Sequence, residues 1–289
     1  MIKFVNAKIN LGLNVVKKRT DGYHDLETIF FPVGTDSGNP DSVGILCDIL
    51  EIIPSDNDSD EFFFSGNQID CPIEKNLIYK ALHLFRKESA DFGRETPAMK
   101  IYLEKHLPDG AGMGGGSADA SFTLLALNEI TGNHFDTTRL AEMALKLGAD
   151  CPFFIYNKPM YAEGVGEQLS SINLSLNDKF IAIVKPQVSI STKDAFANIT
   201  PKRPIIGVSE IIKRPINEWK DLLVNDFETS MFKLHPEIKT IKTKLYDKGA
   251  IYASMTGSGS AFYGIFNNLN DAQNAIDEIN CPFATIIKT

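Results

Sequence analysis

From Val5 to Val15 apolar and polar residues alternate: Val5, Ala7, Ile9, Leu11, Leu13 and Val15 are apolar, and Asn6, Lys8, Asn10 and Asn14 fall between them. A period of two predicts a half-buried β-strand, with Lys8 and Asn10 side by side on its polar face. A turn-like KKRTDGYHD follows, and the apolar run from Leu26 to Val33 predicts a returning strand. SVGILCDILEII and EFFFSG add two strand candidates around a polar PSDNDSD loop, so the first third reads mainly as sheet. From Asn76, a helix cap, LIYKALHLFRKES sets Leu77, Ile78, Ala81, Leu82 and Phe85 at helical spacing. AMKIYLEKHL then predicts a strand leading into the glycine-rich LPDGAGMGGGSADAS. Two helices follow, Ser117 to Ile130 and Asp136 to Leu147, the second opened by an aspartate cap and stopped at Gly148.

Beyond GADCPFFIYN, the run FIAIVKP restarts a strand. PEIKTIKTKLYDKG reads as a helix stopped by Gly249, followed by strand AIYASM, turn TGSGS, strand AFYGIF, helix NDAQNAIDEI and a last strand ATIIKT. That tail is an α+β unit, which places a domain boundary near residue 160, with one domain over 1–160 and another over 161–289. No internal repeat or low-complexity tract interrupts the chain.

A length of 289 residues suits two domains, and 43% hydrophobic with 23% charged residues is a globular balance. Apolar runs are too short and interrupted to cross a bilayer, and MIKFVNAKIN lacks the pattern of a signal peptide, so the expected location is the cytoplasm. Cys47, Cys71, Cys151 and Cys281 lie far apart, and the histidines have no zinc-ligand spacing, which implies neither a disulfide frame nor a structural metal. A formal net charge of −8 opposes a phosphate backbone, and neither nucleic acid nor membrane is an expected partner.

The segment GAGMGG satisfies G-x-G-x-x-G through Gly110, Gly112 and Gly115, with Glu129 near the offset of a ribose-binding acid. A dinucleotide-binding unit needs a hydrophobic strand after the helix, whereas Glu129 sits in LNEITGN ahead of another helix. A P-loop ends in Gly-Lys-Ser/Thr, and GGGSAD has no lysine. What remains is the physics common to both. Residues without Cβ let successive backbone N–H groups face one anion, and a helix start adds unpaired amides and the positive end of its dipole. Gly110, Ala111, Gly112, Met113, Gly114, Gly115, Gly116 and Ser117 are therefore expected to bind phosphate; the plainer alternative is a turn packed closely for structural reasons.

Three separated segments, AKINLGLNVVKKRTDGYHDLETIF, LPDGAGMGGGSADAS and MTGSGSAFYGIF, resemble the motifs of the galactose, homoserine, mevalonate and phosphomevalonate kinase superfamily. The resemblance spans essentially the whole chain, since LGADCPFF, YAEGVGEQL and VSIST fall in the same order. It implies an α+β, two-domain kinase fold: an N-terminal ATP-binding domain with an unusual phosphate loop, and a ferredoxin-like C-terminal domain. It also implies ATP and Mg2+ as cofactors, although the sequence names no metal ligand. Lys8, Asn10 and the tetrad DGYH at Asp21–His24 resemble the branch that phosphorylates the 2-hydroxyl of a cytidine-diphosphate-linked methylerythritol in non-mevalonate isoprenoid synthesis. Two positions depart from the family pattern. Ala118 follows Ser117 where two serines are usual, and Asp109 stands where a small or apolar residue is usual. An acid in a phosphate loop would repel ATP, so Asp109 is expected to face solvent.

Phosphoryl transfer needs in-line positioning, a divalent cation on the phosphates and a group that accepts the attacking hydroxyl's proton. Taken alone, Asp150 reads as a surface aspartate or helix cap, Lys8 as a solvated lysine and Asn10 as polar filler. The resemblance implies instead that Asp150 is the base, that Lys8 lies beside it and the γ-phosphate, and that Asn10 serves the substrate hydroxyls. DGYH alone marks a turn with one packed ring. By resemblance Tyr23 stacks on cytosine, His24 bonds its polar edge and Phe196 closes the other face. Thr192 is carried over to the erythritol part and Asn76 to the adenine. Thr256, Gly257, Ser258 and Gly259 are either a plain loop between strands or a set of amides for the substrate diphosphate.

The implied partner is a small molecule with a cytidine diphosphate group; the oligomeric state is not legible. Two alternatives stay open, a homoserine or mevalonate type of kinase and an inactive nucleotide-binding regulator. DGYH weighs against the first, because a small acid has no base to stack, and Lys8 with Asp150 against the second.

Overall fold

The computed structural model describes residues 1–34 and 46–289. Its strands are β1 (Ile2–Lys18), β2 (His24–Val33), β3 (Cys47–Pro54), β4 (Glu61–Gly66), β5 (Met99–Lys105), β6 (Met160–Glu163), β7 (Gln168–Ser171), β8 (Phe180–Lys185), β9 (Tyr252–Met255), β10 (Phe262–Phe266) and β11 (Phe283–Lys288). Its α-helices are α1 (Leu77–Asp91), α2 (Gly115–Ile130), α3 (Thr137–Leu145), α4 (Cys151–Tyr156), α5 (Thr192–Ala197), α6 (Val208–Ile211), α7 (Phe227–Leu234), α8 (Pro236–Asp247) and α9 (Leu269–Ile279). They gather into two compact units. The first comprises residues 1–7, 46–108 and 114–158, and the second the described part of 8–45 with 109–113 and 159–289.

In the first unit the strands run in the order β4-β5-β3-β1, with Ile2–Asn6 of β1 antiparallel to β3 and β4 parallel to β5. Helix α2 packs on β3 and against α1. Both expected caps form: Asn76 Oδ1 accepts from Ile78 N at 2.9 Å to open α1, and Asp136 Oδ1 accepts from Arg139 N at 2.8 Å to open α3. Helix α2 begins two residues earlier than expected, because Gly114 takes the capping place in a left-handed conformation at φ 74°.

In the second unit β1-β2-β6-β7 lie in order, and a separate antiparallel sheet has the order β11-β8-β10-β9. Counting β8 as the first strand, that order is 4-1-3-2. With α8 ahead of β9 and α9 between β10 and β11, it is the ferredoxin-like βαββαβ arrangement the resemblance implied. Met255, Phe262, Phe266, Ile238 and Leu245 lie in its core.

Three local readings change. Strand β1 is not half-buried: every residue from Ala7 to Val15 is buried, Lys8 and Asn10 included. Of SVGILCDILEII, residues 42–45 lie outside the described residues, and the strand starts at Cys47. Helices α4 to α7 and strands β6 and β7 were not expected. Five of the six residues of α4 are buried, so it shows no amphipathic period, and β6 and β7 span only four residues each.

Candidate active site

Strand β1 carries Lys8 and Asn10 into a buried polar cluster of the second unit. Lys8 Nζ donates to Asn10 Oδ1 at 2.6 Å and to the Gly112 carbonyl at 2.9 Å, and lies 5.0 Å from the centre of the Phe30 ring. Its backbone N–H donates to Met113 O at 3.0 Å. Asn10 Nδ2 donates to Thr28 Oγ1 at 3.0 Å, and Asn10 N donates to Thr256 Oγ1 at 3.1 Å. An ammonium is buried only where its donors are used, and here the glycine loop supplies one acceptor. The lysine that pattern alone assigns to solvent is therefore built into the loop's support.

The two glycine loops interlock. Ser260 N donates to Gly110 O and Ala261 N to Ala111 O, both at 3.2 Å, while Thr256 Oγ1 lies 3.2 Å from Gly112 O. Gly112 at φ 73° and Gly257 at φ 55° are in contact: a Cβ on Gly112 would collide with the Thr256 carbonyl, and one on Gly257 would come within 2.9 Å of Gly112 O. The first glycines of the loop thus permit a close approach of backbone to backbone. In the second loop, Thr256 N, Gly259 N, Ser260 N and Ala261 N all have backbone acceptors. Among the described residues Gly257 N and Ser258 N have none.

The later glycines do something different. Gly115, Gly116 and Ser117 form the first turn of α2, whose N–H groups have no acceptor within the helix. Under that turn, Lys105 Nζ lies 2.5 Å from Asp48 Oδ2 and 2.6 Å from Asp119 Oδ2, and a Cβ on Gly115 would sit 3.2 Å from it. Asp48 Oδ1 also accepts from His106 N at 2.6 Å and Leu107 N at 2.7 Å, so one buried triad ties the loop's entry to its exit helix. Burial opposes the Lys105 charge, but the two carboxylates outweigh it and raise its pKa. Burial pushes Asp119 up to about 7 against the pull of Lys105. Sequence reasoning missed this triad; its signal was a set of charged residues within otherwise apolar elements.

In the first unit Ser117 lies against the segment 148–151 that carries Asp150. A Cβ on Gly148 would be 4.0 Å from Ser117 Oγ, and the Ser121 hydroxyl is 2.9 Å from Ser117 O and 2.8 Å from Cys151 O. Burial pushes the Cys151 thiol up to about 11; its bond with Ser117 works the other way, and the Asp150 charge adds to the rise. Asp150 is half-buried at the start of α4 and makes no side-chain capping bond there. Asp109 faces solvent, as expected.

The DGYH turn leaves Tyr23 64% exposed. The His24 ring stacks on Phe196 with centroids 4.8 Å apart and planes 21° apart, and Phe196 meets Phe227 edge-on at 4.9 Å. Rings in direct contact leave no space for a third between them, and Tyr23 is the exposed ring of this group. Burial first, and the Lys18 charge second, lower the His24 pKa. Thr192 Oγ1 lies 3.3 Å from Ser258 Oγ, which joins α5 to the second glycine loop.

Known proteins place this architecture. The family model for the GHMP kinases N terminal domain matches residues 76–158, and the GHMP kinases C terminal model matches 208–285. The 4-diphosphocytidyl-2-C-methyl-D-erythritol kinase of Parabacteroides distasonis is 47% identical over 266 residues, 92% of either chain, and that of Bacteroides fragilis is 48% identical over 269 residues with the same coverage. The chain belongs to the GHMP kinases, in the 4-diphosphocytidyl-2-C-methyl-D-erythritol kinase family. A crystal structure of 4-(cytidine 5'-diphospho)-2C-methyl-D-erythritol kinase, 30% identical, superposes with a TM-score of 0.80 over 100% of both chains. Homoserine kinase from Cytophaga hutchinsonii, 17% identical, shares the fold at a TM-score of 0.68 over 99% of this chain and 95% of its own. As a GHMP kinase the protein is a small-molecule kinase with ATP as its phosphoryl donor. Among the described residues, no helix is long and apolar enough to cross a membrane.

Proposed function

We propose that this GHMP kinase transfers the γ-phosphoryl group of ATP to the 2-hydroxyl of 4-diphosphocytidyl-2-C-methyl-D-erythritol, in the cytoplasm, as a step of non-mevalonate isoprenoid precursor synthesis. The observation that carries the chemistry is the buried Lys8 ammonium on the Gly112 carbonyl, a positive charge fixed in the wall of the phosphate loop. Residues 1–160 bind ATP and also give Asn10, Tyr23 and His24 to the acceptor, and residues 161–289 complete the acceptor's side. The amides of Gly114 to Ser117, with Gly110 to Met113 ahead of them, hold the phosphates, and Asn76 serves the adenine. Asp150 accepts the hydroxyl proton, Lys8 stabilises the charge that develops during transfer, and Asn10 and Thr192 orient the acceptor. Tyr23 stacks on cytosine beside His24 and Phe196, and the loop Thr256–Gly259 offers its amides to the acceptor's diphosphate.

Mg2+ takes hard oxygen donors and keeps much of its shell on phosphates and water, and the Ser117 hydroxyl at the loop's exit suits that demand. When bound, the ion would neutralise phosphate charge. The test is ATP-dependent phosphorylation measured side by side with the cytidine-linked acceptor, homoserine and mevalonate. Turnover of either small acid in preference to the cytidine compound would overturn the assignment.

Tyr23→Ala is expected to weaken CDP binding by about 1–3 kcal/mol, about fivefold to more than a hundredfold, with ATP-analogue affinity unchanged. At 64% exposure the ring adds little to the core, so the melting temperature should hold. Tyr23→Phe should keep most of the affinity, because stacking uses the ring face. Calorimetric titration ranks the variants, and undiminished CDP binding by Tyr23→Ala would remove the stacking role.

His24 bears on pH. Its lowered pKa keeps the imidazole neutral at pH 7, with one nitrogen donating and the other accepting, as recognition of a cytosine edge requires. Cytidine, which has no phosphate to titrate, should bind with constant affinity from pH 9 to 7 and weaken only below the ordinary histidine range. His24→Gln should abolish that acid limb. Loss of affinity already at pH 8 would contradict the neutral-imidazole role.

A further inference from the structure

The second glycine loop is held by a residue outside every glycine motif. Asn225 is 2% exposed and its whole amide is engaged: Nδ2 donates to Met255 O at 2.8 Å and Gly257 O at 2.9 Å, and Oδ1 accepts from Phe227 N at 3.0 Å. Its backbone neighbours are fastened to β1. Leu13 N donates to Val224 O at 2.9 Å, Asp226 N donates to Leu13 O at 2.8 Å, and Asp226 Oδ2 accepts from Val15 N at 2.8 Å. The side chain therefore reaches the loop from a fixed base.

A planar trans peptide has its C=O and N–H pointing in opposite directions, and the Gly257–Ser258 peptide is trans. Drawing Gly257 O toward Asn225 therefore turns the Ser258 N–H away from it. Ser258 is the one partly exposed residue between Thr256 and Ser260, and its hydroxyl lies beside Thr192. Ser258 N is also one of the two loop amides without an acceptor among the described residues. We infer that Asn225 is a positioning residue: by holding the Gly257 carbonyl it presents the Ser258 amide to the diphosphate of the acceptor. This rests on the proposed assignment of the second loop to that diphosphate.

The experiment compares the affinities of CDP and cytidine, by calorimetry, for wild type, Asn225→Asp and Asn225→Ser. Asn225→Asp keeps the shape but sets a carboxylate against two carbonyl oxygens, which should turn the peptide. The preference for CDP over cytidine should fall about tenfold or more, the loss expected for a hydrogen bond to a charged group. Asn225→Ser, with one donor, should fall between. Cytidine and ATP-analogue affinities should stay within about twofold, whereas general damage to the fold would lower all three together. A wild type that binds cytidine as tightly as CDP would overturn the loop assignment itself. A wild type that prefers CDP, with both variants keeping that preference, would overturn the role of Asn225 alone. If neither variant folds, titration of nitrogen-15-labelled wild type decides: the Asn225 side-chain amide signals should shift with CDP and not with cytidine, and no shift with CDP would overturn the inference.

Discussion

Asp150→Asn should lower kcat by about 10²–10⁴-fold, the usual worth of a general base, and leave the melting temperature and ATP-analogue affinity unchanged. Asparagine keeps the shape of the side chain but cannot take a proton from the attacking hydroxyl. The fold should survive because α4 is packed through Cys151, Phe153, Phe154 and Ile155. Single-turnover kinetics with saturating acceptor isolate the transfer step. A fall in kcat with unchanged KM values would place the loss in the transition state alone. Turnover within tenfold of wild type would take Asp150 out of the mechanism and leave electrostatic stabilisation by Lys8 and the loop amides as the main source of rate.

What the sequence made legible follows from periodicity. Long amphipathic elements such as α1, α3, α8 and α9 have polar faces that set the period, and Asn76 and Asp136 marked their starts through local chemistry. Helix α4 escaped because a short, buried segment has no polar face to mark a period. The site divided in the same way. Glycine density marked the loop proposed to hold phosphate, but the alternation in β1 misassigned Lys8, because a polar face reads alike whether it meets water or a buried loop. Only the fold brings residue 112 to residue 256, so the interlock of the two loops left no trace at short range. The Lys105 triad was hidden because Asp48 lies 57 residues from Lys105, and Asn225 because the carbonyl it holds lies 32 residues on.

Within the glycine loop the residues are not equivalent, and a single methyl group should separate them. Gly112→Ala is expected to lower both ATP-analogue and CDP affinity more than tenfold. Its φ of 73° disfavours any residue with a Cβ by roughly 1–2 kcal/mol, and the methyl group would collide with the Thr256 carbonyl. Relief requires the two loops to part, which would also move the Gly112 carbonyl away from Lys8 Nζ and Thr256 Oγ1. Because each loop is proposed to hold a different ligand, their separation should weaken both. Gly116→Ala is the contrasting case. Its nearest neighbour would be Leu77 Cδ1 at 3.8 Å, its backbone is helical, and alanine in a helix is favoured over glycine by about 0.5–1 kcal/mol. That variant should fold at least as well as wild type and bind CDP unchanged, with any loss confined to ATP, whose phosphates are proposed to meet the first turn of α2. Melting curves and calorimetry on the two variants make the comparison. Equal behaviour of Gly112→Ala and Gly116→Ala toward CDP would mean that contact between the loops does not govern acceptor binding.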